Sequence, residues 1–173
     1  MQDNLEYYLT LILSELSLGK QKHILSTFED LQELSDINRY EGKITKLISS
    51  QEFNKLREII TNNSVKHHLV GIKKNGIGII SIDSEYYPEC LRNINEPPLV
   101  LYYRGDITLL NTDCIAIVGS RVCTRYGREQ TTIFAKDLSK AGFTIVSGLA
   151  DGIDTHAHRG TLDAQGKTIA ILA

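Results

Sequence analysis

Two short segments combine residue types suited to holding an anion. The first, Gly119-Ser120-Arg121, follows the apolar run Cys114, Ile115, Ala116, Ile117 and Val118. The second, Ser147-Gly148-Leu149-Ala150-Asp151-Gly152-Ile153-Asp154, follows Thr144, Ile145 and Val146. Turn N–H groups and a serine hydroxyl can hold a phosphate, and an arginine fork can pair with it through two hydrogen bonds. Between positions 121 and 140, Arg121, Arg125, Arg128, Lys136 and Lys140 face only Glu129 and Asp137, a local cationic excess beside the first turn.

Other chemistries fit these residues less well. Neither Ser120 nor Ser147 sits in the Gly-x-Ser-x-Gly frame of a nucleophile elbow, and no acid–base partner can be assigned to either. Asp154, His156 and His158 are metal-ligand types, but residues two apart on a helix point to nearly opposite sides, so the two histidines cannot share an ion. Gly119 is followed by Ser120 and Arg121 with the next glycine at Gly127, which is no dinucleotide fingerprint. Neither a metal nor a cofactor is expected.

The elements that must position the two turns form a strand–helix–strand–helix–strand series. The apolar runs read as strands buried on both faces, and right-handed crossovers put both turns on one edge of a parallel sheet, beside helix N-termini. Unpaired N–H groups and the positive end of the helix dipole suit an anion there. The first helix is expected from Tyr126 to Lys140, with Thr124 as N-cap, Phe134, Leu138 and Ala141 toward the sheet, and Gly142 as the C′ glycine. The second runs from Asp151 to Gln165-Gly166, its small face of Ala157, Gly160 and Ala164 allowing close approach to the sheet. Gly152 and Asp154 read as structural, the glycine for close backbone contact and the carboxylate for holding N–H groups at the helix start. Thr168 to Leu172 begin a third strand, and its arrest at Ala173 suggests a parent chain that continues.

Ahead of this region, residues 1 to 75 read as a small all-helical domain and residues 76 to 173 as the sheet domain. Leu5, Tyr8, Leu9, Ile12 and Leu16 mark a first helix ending near Gly19, and further helices follow up to Asn75, with Gly76 as a left-handed stop. Ile77 to Ile82 and Leu99 to Tyr103 read as two more strands, enlarging the sheet, with Asp83-Ser84 capping a short helix between them. The 173 residues are 42% hydrophobic with a net charge of −2, which gives no global signature of nucleic-acid binding. Three cysteines without a CxxC pair, no long apolar run and no signal-like N-terminus point to the cytoplasm.

Ile115 to Arg121 and Val146 to Asp154, followed by Ala157-His158-Arg159-Gly160, resemble the DNA-processing protein A (DprA/Smf) family of bacteria. The resemblance implies an α/β fold: a Rossmann-like parallel, partly mixed sheet with helices on both faces, preceded by a small helical domain like a sterile-alpha-motif (SAM) domain. It implies a protein that is not a catalyst, binds single-stranded DNA and loads the RecA recombinase onto it during natural transformation, as a homodimer when full length. Gly119, Ser120 and Arg121 would line the DNA-binding pocket, Ser147 and Gly148 would do the same from the second loop, and Arg125, His158 and Arg159 are further candidate contacts. The alternative is a nucleotide or nucleoside-monophosphate hydrolase on a related Rossmann-like fold. Its Pro-Gly-Gly-x-Gly-Thr loop is missing from these 173 residues.

Overall fold

The structure, a computed structural model, describes residues 4–28 and 30–172. Its contacts separate two compact units, one up to Gly105 and one from Asp106 onward. The first contains α1 (Leu5–Leu13), α2 (Leu18–Leu25), a 3-10 stretch (Leu31–Tyr40), α3 (Glu41–Ile44), α4 (Ser50–Thr61) and α5 (Ser64–Lys74), then β1 (Gly78–Ser81), α6 (Glu89–Arg92) and β2 (Val100–Tyr103). The second contains a 3-10 turn (Ile107–Asn111), β3 (Cys114–Ala116), α7 (Arg125–Lys140), β4 (Thr144–Ser147), α8 (Ile153–Asp163) and β5 (Thr168–Ala170).

In the first unit the apolar periodicity becomes one core, with Leu9, Leu11, Ile24, Leu34, Ile44, Phe53 and Leu56 buried. The first helix stops earlier than its pattern suggested. Ser14 donates its hydroxyl to the Thr10 and Leu11 carbonyls, Glu15 turns left-handed at φ 57°, and Gly19 falls inside α2 instead of ending α1. Gly76, at φ 64°, ends α5 as expected, and the Ile77 amide donates to the Ile72 carbonyl across it.

The strands β1 and β2 do not enlarge the parallel sheet. They pair antiparallel with each other, Gly78 opposite Tyr103 and Ser81 opposite Val100, as a separate two-stranded sheet. Leu99 and Val100 are buried in the helical core, with Ile79 and Ile82 packed against it. Asp83 does not cap a helix but accepts from the Tyr8 hydroxyl (2.8 Å) and the Asn4 amide (3.1 Å) at α1. A hairpin gains its stability from an apolar surface to lie on, and here the helices supply it. The compact unit therefore runs to Gly105, beyond the boundary near residue 76 drawn from the change of period.

In the second unit β3, β4 and β5 form a parallel sheet in that order, with Ile115 opposite Ile145 and Val146 opposite Ile169. Two successive right-handed crossovers between neighbouring strands deliver both helices to the same side. Accordingly α7 and α8 pack on each other and on β4. Of the apolar run expected to be buried on both faces, Ile115 and Ile117 are half-buried, whereas Cys114, Ala116 and Val118 are exposed. Ala173, where the third strand was expected to run on, lies outside the described residues.

Two helix faces differ from expectation. Phe134 points outward at 60% exposure, and Thr131 and Ala135 are the residues of α7 that are buried. The small face of α8 meets α7: a Cβ on Gly160 would lie 2.7 Å from the Thr132 carbonyl oxygen and 3.1 Å from the Ala135 Cβ. Close helix–helix contact, not helix–sheet contact, is what the missing side chain permits. The caps of α7 are as read: the Thr124 hydroxyl accepts from the Gly127 amide (3.0 Å), and Gly142 follows the last turn at φ 100°.

Candidate nucleic-acid interface

The two glycine turns, about thirty residues apart in the chain, converge on one side chain. Asp154, in the first turn of α8, accepts from the Gly119 amide through Oδ1 (3.3 Å) and from the Gly148 amide through Oδ2 (3.1 Å). Its residue exposure is 6%. Charge-assisted bonds of this kind are about twice as strong as neutral ones. The carboxylate was expected to hold N–H groups at its own helix start; instead it ties the ends of β3 and β4 together.

Backbone packing tightens the same junction. The Ile153 amide donates to the Ser120 carbonyl (3.2 Å), so the first turn caps the start of α8. Gly152, at φ 83°, lies so close to that turn that a Cβ would be 2.2 Å from the Ser120 oxygen and 2.5 Å from the Arg121 oxygen. Its reading as a close-contact glycine thus has a defined neighbour. Gly119 and Gly148 are similarly crowded, their Cβ atoms falling 2.8 Å from Ile153 Cγ1 and 2.8 Å from Asp154 Oδ2. Leu149, directly after Gly148, turns left-handed at φ 58°, a conformation that costs roughly 1 kcal/mol or more for a residue with a side chain.

The candidate contacts divide into exposed and internal groups. Arg121, Gly119, Ser120 and Gly148 are exposed. The Ser120 hydroxyl donates to the Val122 carbonyl (2.8 Å) and accepts from the Val122 amide (3.2 Å), closing the first turn on itself. Among the described residues the amides of Ser120, Arg121 and Leu149 have no intramolecular acceptor, and the Arg121 guanidinium has no ion-pair partner. Arg125 reaches Glu129 along α7 (2.7 Å), an exposed pair of small energetic weight. Arg159 is exposed on α8.

Ser147 and His158 are placed differently from the ligand role given to them. Ser147 is 2% exposed and donates its hydroxyl to the Ile117 carbonyl (2.7 Å), fastening β4 to the end of β3. His158 is 6% exposed, with Nδ1 2.7 Å from the Thr168 hydroxyl, which itself donates to the Ile145 carbonyl (2.8 Å). Thr168 has thus committed its proton, so His158 donates through Nδ1, and Nε2 is a buried acceptor without a partner among the described residues. Burial pushes the imidazole below its usual range, and the nearby Asp154 carboxylate opposes that only in part. Both residues support the turns from within. Among the described residues no three His, Cys, Asp or Glu side chains gather as a metal site would require.

The sequence of this region decides its kinship. The model of the family described as DNA recombination-mediator protein A matches residues 78–173. The chain belongs to this family. It is 42% identical over 106 residues to the DNA processing protein DprA of Bacillus subtilis (strain 168), an overlap of 61% of this chain and 36% of that one. To Protein Smf of Borreliella burgdorferi it is 28% identical over 152 residues, covering 88% of this chain and 40% of the relative. The X-ray structure of DNA processing protein A from Streptococcus pneumoniae matches with a TM-score of 0.75 at 29% identity, over 96% of this chain and 57% of that one. The chain therefore spans well under two thirds of the length of these relatives. The family region starts at residue 78 and so includes β1 and β2, which pack with the helical unit. Among the described residues no helix is long and apolar enough to cross a membrane.

Proposed function

We propose that this chain carries part of a sequence-independent binding site for single-stranded DNA, in a non-catalytic cytoplasmic protein that protects incoming DNA and loads RecA during natural transformation. The observation that carries this reading is the junction at Asp154, which sets the Gly119 and Gly148 turns side by side with Arg121 exposed beside them. The free amides of Ser120, Arg121 and Leu149 offer donors without base preference, and Arg121 supplies a guanidinium for a phosphate. Arg125 and Arg159 lie on the two helices that start at these turns and extend the positive field. Ser147 and His158 act as supports. Membership of a family of DNA-processing proteins supports the same reading, and homodimerisation and contact with RecA are part of the proposal.

Fluorescence anisotropy with a labelled oligonucleotide tests the site. Arg121→Ala weakens binding to all sequences alike and lowers the slope of log K against log salt by about 0.7, the share of one phosphate contact on a single strand. Equal affinity of this variant and the unaltered protein at matched salt would overturn the assignment.

A further inference from the structure

A second surface with nucleic-acid chemistry lies in the other unit, on α5 and β2. The helix α5 reads Ser-Val-Lys-His-His-Leu-Val-Gly-Ile-Lys-Lys and contains no carboxylate. Its solvent side is built of successive rows: Lys66, Val70 and Lys73, then His67, Gly71 and Lys74, then His68 and Asn75. All four residues Lys66, His67, Lys73 and Lys74 are exposed, and Val70 lies among them at 67% exposure.

The third row anchors two residues from the hairpin. His68 Nε2 lies 3.0 Å from the Tyr102 hydroxyl, with the rings edge to face at 5.9 Å, and the Arg104 guanidinium donates to the Asn75 carbonyl (2.8 Å). Tyr102 is partly exposed, and a Cβ on Gly71 would meet nothing within 4 Å, so the helix leaves open space beside this row.

Helix stability does not account for this pattern. Lys73 and Lys74 in the last turn favour the dipole, but Lys66 and His67 stand in the first turn, where positive charge opposes it and the helix has no acidic residue of its own to offset it. An exposed valine in the midst of the lysines adds nothing to the core either. Cations flanking an accessible aromatic ring are the combination that holds a single strand, with lysines and arginine along the backbone and a base against the ring.

We infer that Lys66, Lys73, Lys74, Arg104 and Tyr102 form a second contact surface for single-stranded nucleic acid on the helical unit, separate from the glycine turns. This surface stands independently of the reading given to Arg121.

The test uses the full chain and a labelled oligo-dT. Lys66→Gln, Lys73→Gln and Lys74→Gln are combined, since these side chains make no hydrogen bond or ion pair among the described residues and glutamine matches lysine in helix propensity. The expected result is roughly a tenfold loss of affinity and a salt slope shallower by about 2, three phosphate contacts on a single strand. A halogenated-uracil oligonucleotide, photo-cross-linked and mapped by mass spectrometry, gives adducts at Tyr102. Unchanged affinity and slope in the triple variant, or adducts confined to the second unit, overturn the inference and leave the turn site standing. Loss in the triple variant with Arg121→Ala unchanged does the reverse. Failure of the unaltered chain to bind oligonucleotide overturns both, and retention of an acidic protein on this surface without oligonucleotide overturns this inference.

Discussion

At the scale of single residues, Asp154 makes an unusual demand on electrostatics. A carboxylate beside a proposed phosphate site should repel the ligand, so Coulomb's law alone says that Asp154→Asn strengthens DNA binding. The geometry says the opposite: the two oxygens hold the Gly119 and Gly148 amides, and an asparagine can accept from only one while turning an N–H donor toward the other. We expect Asp154→Asn to lower the stability of this unit by roughly 2–4 kcal/mol and to weaken oligonucleotide binding at matched salt; tighter binding would show that the clamp does not set the turns. His158 adds a pH dependence. Its folded-state pKa lies below the ordinary 6.5, so the neutral form is favoured by folding and the stabilisation is fully present above that pH. As pH falls from 6.5 through the lowered value, that contribution is lost. His158→Asn keeps a donor for Thr168 and removes the titration, so its thermal midpoint should vary less with pH over this window than that of the unaltered protein.

At the scale of elements, the junction stands on the packing of α7 against α8. Gly160 is the point of closest approach, and Gly160→Val should cost roughly 1–3 kcal/mol or more by forcing the helices apart, read as a lower urea midpoint with an unchanged m-value. Here the sequence was partly legible. Apolar runs ended by Gly119 and Gly148 located β3, β4 and both turns because strand ends and glycines are local signals, and the Thr124 and Gly142 caps of α7 were local too. The direction of Phe134 was not legible. Its spacing suits an inward face, but the Thr132 backbone and Ala135 meet α8 at Gly160, because two crossovers of one hand bring the helices onto one another. Ser147 was legible as a turn residue, whereas its bond to Ile117 depends on a strand pairing thirty residues away.

At the scale of the molecule, kinship and packing divide the chain at different places. The family region begins at residue 78, but Leu99 and Val100 are buried among Leu9, Leu56 and the rest of the helical core. Periodicity along the chain marks residue 76 because strand spacing replaces helix spacing there; it carries no information on which apolar surface the strands will cover. If the family boundary were also the folding boundary, a fragment of residues 1–76 would be as stable as one of residues 1–105. Packing argues otherwise. Removing β1 and β2 uncovers the surface on which Leu99 and Val100 lie and frees Tyr8 from Asp83. Each fully buried aliphatic side chain contributes roughly 1.5–3 kcal/mol, so the shorter fragment should be about 3–6 kcal/mol less stable, enough to unfold many domains of this size. Urea melts followed by far-UV circular dichroism compare the two directly. A cooperative transition for residues 1–105 with none for residues 1–76 supports the hairpin as part of the helical fold, and equal midpoints would return the boundary to residue 76.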